Sequence, residues 1–105
     1  MKLYHVDIML TALDDIRDIQ KNIIDFSGDI DFAKKQKERI LTAIKKLSAA
    51  PKIYRVRKKD ELNRPLRYLP VDKYKYIVVY TLYENEQIVH VLNVFSGRRD
   101  IDSLI

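Results

Sequence analysis

Arginine pairs, lysines beside aromatics and one histidine inside an apolar run are the residue types in this chain that can do chemistry. Arg98 and Arg99, followed by Asp100, come just after the apolar run Ile88 to Phe95 and the break at Ser96-Gly97. Charges at a strand exit are carried on a rigid support, which suits display to a partner or a clamp on a phosphate. Arg67, Lys75, Lys58 and Lys59 are the other cations able to hold a phosphate, and His90 or Glu61 could move a proton. Arginine serves only the charge-stabilising part of such a reaction, because it stays protonated throughout the accessible pH range. His90 lies within a run of strand formers, where a hydrogen-bonded core or edge histidine is the plainer expectation. The Arg-Arg-Asp turn likewise has a plain reading, a solvated cap with a local ion pair.

Composition limits what these residues can belong to. The chain has 105 residues, 47% hydrophobic and 33% charged, with two glycines and three prolines, and so is expected to form one domain with one modest core. Cysteine is absent, which removes disulfides and thiolate metal sites and suits a reducing cytosol. No apolar run approaches the ~20 residues of a membrane span, and Asp7 interrupts the N-terminal one, so a cytoplasmic protein with no membrane partner is expected. Nothing in the residues implies a metal or another cofactor.

Charge is unevenly distributed. Residues 1–31 hold seven acids and three bases, residues 32–105 eight acids and seventeen bases, and the net charge is +5. The basic two-thirds is expected to attract phosphate backbones or an acidic protein surface, in a salt-dependent way.

The elements that must carry these groups follow from periodicity. Leu3 to Leu10 alternates as a half-buried strand, with Tyr4, Val6, Ile8 and Leu10 inward and His5 and Asp7 outward. Thr11 with Asp14 resembles a capping box, and Leu13, Ile16, Ile19, Ile23 and Phe26 then recur at helical spacing up to Gly28. A second helix starts near Asp29 or Asp31 and runs to Ala50, where Pro51 stops it. Its apolar stripe is Ala33, Ile40, Ile44 and Leu47, and its solvated face holds Lys34, Lys35, Lys37, Arg39, Lys45 and Lys46. Residues 52–67, with seven bases and two acids, read as a basic loop or edge ribbon. They suit a nucleic-acid surface and an edge strand guarded against aggregation equally well. Leu66 to Val71, interrupted by Pro70, Tyr74 to Tyr83 and Ile88 to Phe95 complete an antiparallel meander, with Tyr74 to Tyr83 central. The expected class is α+β, ordered β-α-α-β-β-β, with a helical hairpin on one face of a small, mainly antiparallel sheet.

In this order the chain resembles toxins of the RelE/ParE superfamily, the small basic partners of bacterial type II toxin–antitoxin (plasmid stabilisation) modules. The resemblance covers nearly the full length. It rests on the first strand and the helical hairpin ending LSAAP, on Pro65-Leu66-Arg67-Tyr68, on Tyr74-Lys75-Tyr76-Ile77-Val78-Val79-Tyr80, and above all on VLNVFSGRRDI at 91–101. It implies growth inhibition, held in check by a cognate antitoxin whose C-terminal segment wraps the toxin. RelE-like members cleave messenger RNA on the ribosome; ParE-like members inhibit DNA gyrase without known chemistry of their own.

Departures from the RelE-like pattern favour the ParE-like branch. Where RelE-like enzymes tend to carry an arginine in the third strand this chain has Lys75 or Ile77, and Asp102-Ser103-Leu104-Ile105 stands in place of a terminal tyrosine or histidine-tyrosine. The reading is therefore a toxin whose target- or antitoxin-binding residues are Lys58, Lys59, Arg64, Arg67, Arg98, Arg99 and Asp100. The alternative is a ribosome-dependent endoribonuclease with Arg67, Lys75, His90 and Arg98 as its catalytic set. A third possibility is a non-toxic basic nucleic-acid-binding domain in which residues 52–67 track a backbone.

Overall fold

The computed structural model describes residues 3–97 and 101–104. A five-stranded sheet carries two helices on one face. In chain order the elements are β1 (His5–Ile8), α1 (Leu10–Ser27), α2 (Ile30–Lys45, continued by a 3-10 turn over Lys46–Ser48), β2 (Val56–Lys59), β3 (Pro65–Val71), β4 (Tyr76–Tyr83), β5 (Ile88–Ser96) and α3 (Ile101–Leu104). The sheet order is β1-β5-β4-β3-β2, with β1 parallel to β5 and the other pairs antiparallel. The expected α+β architecture is thus present, with the central strand beginning at Tyr76 rather than Tyr74, because Asp72 to Tyr74 turn through left-handed φ values before it. The basic ribbon contributes a further strand, β2, at the sheet edge, and a short helix follows β5.

Alternation along β4 divides the core between the two faces of the sheet. Tyr76, Val78 and Tyr80 join Ile16, Ile19, Ile40, Ile44 and Leu47 under the helices. Ile77 and Val79 point the other way, onto Leu66, Tyr68, Leu92, Phe95 and Ile101. The helical hairpin forms because Gly28 takes a left-handed φ of 69° and donates its N–H to Ile24 O at 2.8 Å, closing α1. Asp29 then accepts from Phe32 N at 2.9 Å and opens α2.

Three details differ from the periodic reading. Leu10 is the first residue of α1 and 77% exposed, so it does not extend the strand's inward face. Leu13 is also exposed, since it sits ~100° around the helix from the buried Ala12. Phe26 has nearly the right phase but lies in the last turn of α1, at the hairpin tip, and is 95% exposed. Pro70, by contrast, costs β3 nothing. It pairs with Ile77 on β4, whereas β2 reaches only Pro65 to Arg67, so no strand faces its missing N–H.

Thr11 does not cap α1, whose N-cap is Met9. Its hydroxyl instead donates to Leu92 O at 2.6 Å. Leu92 is the extra residue of a bulge, since Val79 faces Asn93 and Tyr80 faces Val91. Asp15 secures the far side of the bulge, accepting from Val94 N at 2.8 Å and Asn93 Nδ2 at 3.2 Å. Asp15→Ala is expected to leave the Val94 amide short of its partner and lower stability by about 1–3 kcal/mol. Equilibrium urea unfolding checks this, and an unchanged midpoint would mean that water replaces the carboxylate without cost.

Tyr80 locks the loop after α2 by donating to Pro51 O at 2.8 Å. Burial pushes its hydroxyl up to about 12. Below pH ~10 the phenol is neutral in both folded and unfolded chains, and its contribution to stability is complete. From there towards 12 only the unfolded chain ionises, so on the order of 2 kcal/mol of stability is lost. Unfolding midpoints between pH 9 and 12 are expected to fall less steeply in Tyr80→Phe than in the parent.

Candidate functional site

The exit of β5 is held from two sides. Gly97, at φ +77°, donates its N–H to Lys75 O at 2.9 Å, so the strand end is tied to the start of β4. Beyond it, Ile101 is buried in the open-face cluster, and Asp102 accepts a carboxylate hydrogen bond from the Tyr68 hydroxyl. Lys58 Nζ donates to Asp102 O at 2.7 Å, joining β2 to α3. Arg98, Arg99 and Asp100 lie outside the described residues, and both flanks of that triplet are anchored to the sheet.

Beside the exit runs a groove of about 430 Å³. Its walls are Ile19, Asn22 and Ile23 of α1, residues 73–76, Ser96 and Gly97. Asp72, Lys73 and Tyr74 take successive left-handed φ values of 53°, 54° and 70°, an uncommon run for residues with side chains. The turn leaves Tyr74 57% exposed at the groove mouth. Lys75 Nζ sits 4.9 Å from the centre of the Phe32 ring and 5.8 Å from that of Tyr76, so aromatic faces position the ammonium. Among the described residues the lining contains cations, an amide, hydroxyls and apolar surface, with neither a carboxylate nor an imidazole. Such a set is suited to binding.

The other candidate cations are elsewhere. Arg67 faces the helix side opposite Tyr80 and donates to Tyr54 O at 2.6 Å, holding the loop after α2. Nearby, Lys52 pairs with Glu84 at 2.8 Å, and the pairing raises Lys52 and lowers Glu84 from their ordinary values. Arg64 closes the β2–β3 turn on Asp60, with Nη2 to Oδ2 at 2.7 Å and Nε to Oδ2 at 2.8 Å. Asp60 also accepts from the Leu62 and Arg64 amides, at 3.0 and 2.9 Å. Burial pushes the Asp60 carboxyl up, but its bonds to Arg64 and Leu62 outweigh that and leave it below its usual value. Lys59 is exposed on the edge strand.

His90 lies on the open face, edge-on to Tyr83 with ring centres 4.7 Å apart and with Nε2 3.8 Å from Asp7 Oδ2. The same carboxylate holds exposed His5 at 2.7 Å. On β4, the residue opposite His90 is Thr81 and that opposite Ser96 is Tyr76. Five residues of strand, roughly 17 Å, therefore separate His90 from the β5 exit. Arg67 is displaced similarly and faces the other side of the sheet. The fold brings Lys75 to the β5 exit, but neither Arg67 nor His90. Sequence periodicity held no signal for the Tyr68–Asp102 and Lys58–Asp102 bonds, which join residues 34 and 44 positions apart. Among the described residues no group of three or more His, Asp or Glu is placed to hold a metal ion, and no helix is long and apolar enough to cross a membrane.

A helical hairpin on one face of a sheet in the order β1-β5-β4-β3-β2 defines the RelE/ParE class of small toxin folds. Solved structures with the same fold include three from toxin–antitoxin systems. A chain of the chromosomal ParDE toxin–antitoxin system from P. aeruginosa is similar with a TM-score of 0.73 and 14% identity, over 91% of this chain and 98% of that one. A chain of the RelBE2 toxin–antitoxin complex from Mycobacterium tuberculosis gives 0.63 and 16%, over 90% and 99%. One from the archaeal RelE–RelB complex of Pyrococcus horikoshii OT3 gives 0.59 and 17%, over 92% and 99%. The family model described as the ParE toxin of the type II toxin–antitoxin system parDE matches residues 6–101. The chain belongs to that family and is a toxin of a type II toxin–antitoxin module. No curated protein matches it.

Proposed function

We propose that this toxin acts by binding, as a ParE-like inhibitor of DNA gyrase, with Arg98, Arg99 and Asp100 at the centre of the surface that meets gyrase or the antitoxin. The observation that carries this reading is the separation of Arg67 and His90 from Lys75 and the β5 exit, on different faces or ends of the sheet. Metal-independent RNA cleavage needs a phosphate clamp and proton-transfer groups around one atom. A basic segment whose two flanks are anchored beside a groove needs only a complementary surface. The solved neighbours from the ParDE system and the RelBE2 complex support an antitoxin as partner. An acidic, partly helical antitoxin tail would complement the basic ribbon and the open sheet face. Gyrase as target would place the toxin in the cytoplasm, without a cofactor.

The endoribonuclease reading keeps one supporting observation, the Gly97–Lys75 bond that sets Lys75 beside the residue preceding Arg98. One preparation tests both. Purified toxin is added to a gyrase supercoiling assay and, separately, to a translating ribosome extract whose message is mapped by primer extension. Lost supercoiling with intact message is the expected result. Ribosome-dependent cuts with supercoiling untouched would replace this reading with the nuclease.

A further inference from the structure

The outward face of α2 is a second charged surface, on a different element from the β5 exit. Lys35, Arg39, Thr42 and Lys46 follow one another at i, i+4, i+7 and i+11, which keeps them on one side of the helix over ~16 Å. Together with Glu38 and Ala43 they line a shallow groove of about 650 Å³ between α2 and Pro70, Val71 and Asp72 at the end of β3, where three cations outnumber two carboxylates. Arg39 is fixed there by its bond to Asp72, Nη1 to Oδ2 at 3.1 Å. Among the described residues Lys35 and Lys46 form no ion pair. From Ile30 to Lys46 there are six bases against Asp31 and Glu38, whereas α1 carries four acids against Arg17 and Lys21. The hairpin thus attracts polyanions on one side and repels them on the other.

Composition of this face indicates which polyanion fits. Between residues 33 and 48 it exposes no large apolar side chain, and Phe32, one turn before Lys35 and 39% exposed, has Lys75 Nζ 4.9 Å from its ring centre. Protein interfaces take their energy from buried aromatic and aliphatic anchors and are depleted in lysine, so an acidic protein would find little to hold here. Lysine, arginine and threonine are the side chains that contact phosphates. Single strands bind largely by stacking on successive exposed aromatics, whereas Phe32 beside this stripe already carries Lys75 on its ring. Duplex RNA is gripped through 2′-hydroxyls across successive grooves, which one stripe with one hydroxyl does not supply. We infer that the Lys35, Arg39, Thr42 and Lys46 face of α2 docks the phosphate backbone of duplex DNA, independently of sequence.

Fluorescence anisotropy tests this, with the intact chain and a labelled duplex of about 20 base pairs at salt between about 50 and 200 mM. Three phosphate contacts predict a slope of log K against log salt near −3, since each contributes ~0.9. K35A/K46A is expected to reduce the magnitude of that slope by about 2 and to weaken binding roughly tenfold or more at the lowest salt. R17A/K21A, on the exposed face of α1, is expected to change the slope by less than about 0.5, and all three proteins should share one thermal midpoint. The inference is overturned by undetectable binding, by K35A/K46A matching the parent, by an equal loss in R17A/K21A, or by duplex RNA or an acidic peptide binding more tightly than DNA. No gyrase or ribosome enters the assay, so its outcome is separate from that of the supercoiling test.

Discussion

Replacing Arg98 and Arg99 together with alanine is expected to raise the toxin concentration needed for half-inhibition of supercoiling by at least ~30-fold, while leaving the thermal midpoint within about a degree. Arginines at the centre of an interface commonly cost about 2 kcal/mol or more on truncation, which is a factor of about 30 in affinity. The fold should not suffer, because the residues on either side are held independently. Gly97 is bound to Lys75 O, and Ile101 and Asp102 are held by the open-face cluster and Tyr68. Arg98/Arg99→Lys separates charge from shape: lysine keeps the positive field but loses the planar fork that grips a carboxylate. Recovery of most of the inhibition by the lysine pair would indicate steering, and failure to recover it would indicate specific bidentate contacts. Full inhibition by the alanine pair would remove the β5 exit from the target surface.

Ile40→Ala is expected to lower the stability of the helical hairpin by about 2–5 kcal/mol. Ile40 is fully buried between α2 and the sheet, among Ile44, Leu47, Tyr76 and Val78 in the same cluster. Truncation there removes apolar burial and leaves a cavity that β4, paired on both sides, cannot close. For a domain of this size each kcal/mol lowers the melting temperature by about 4–8 °C, so a loss of at least ~10 °C is expected. Phe26→Ala is the control. It removes a larger side chain, but from a position 95% exposed, and is expected to change stability by less than about 0.5 kcal/mol. A Phe26 variant as damaged as Ile40→Ala would mean that the hairpin tip is covered in solution.

The contrast between these two residues shows the limit of periodicity. Phe26 and Ile40 both fall on apolar stripes, and phase alone gives them the same standing. Whether a stripe position meets a sheet depends on where the helix ends relative to the strands, which is a tertiary quantity. The same limit applies to Thr11, whose spacing to Asp14 fits a local cap. Its hydroxyl instead meets Leu92 O, 81 residues away, at a bulge that alternation in β5 does not reveal.

Local rules did determine much of the rest. Gly28 and Asp29 ended one helix and began the next because a left-handed residue and a side-chain acceptor are what those positions require. Alternation and β-branched content placed the strand that runs from Tyr76 to Tyr83 at the sheet centre, and the ordered elements ending in VLNVFSGRRDI carried the family. Only the tertiary structure decided how the charged residues are shared out. Arg64 and Arg67 hold turns and loops, His90 and Lys75 stand at opposite ends of the sheet, and α2 presents Lys35, Arg39 and Lys46 along one groove. The physical reason is that apolar patterning is written at spacings of two to four residues, whereas the meeting of charges is set by strand order, register and the lie of the helices, through contacts tens of residues apart.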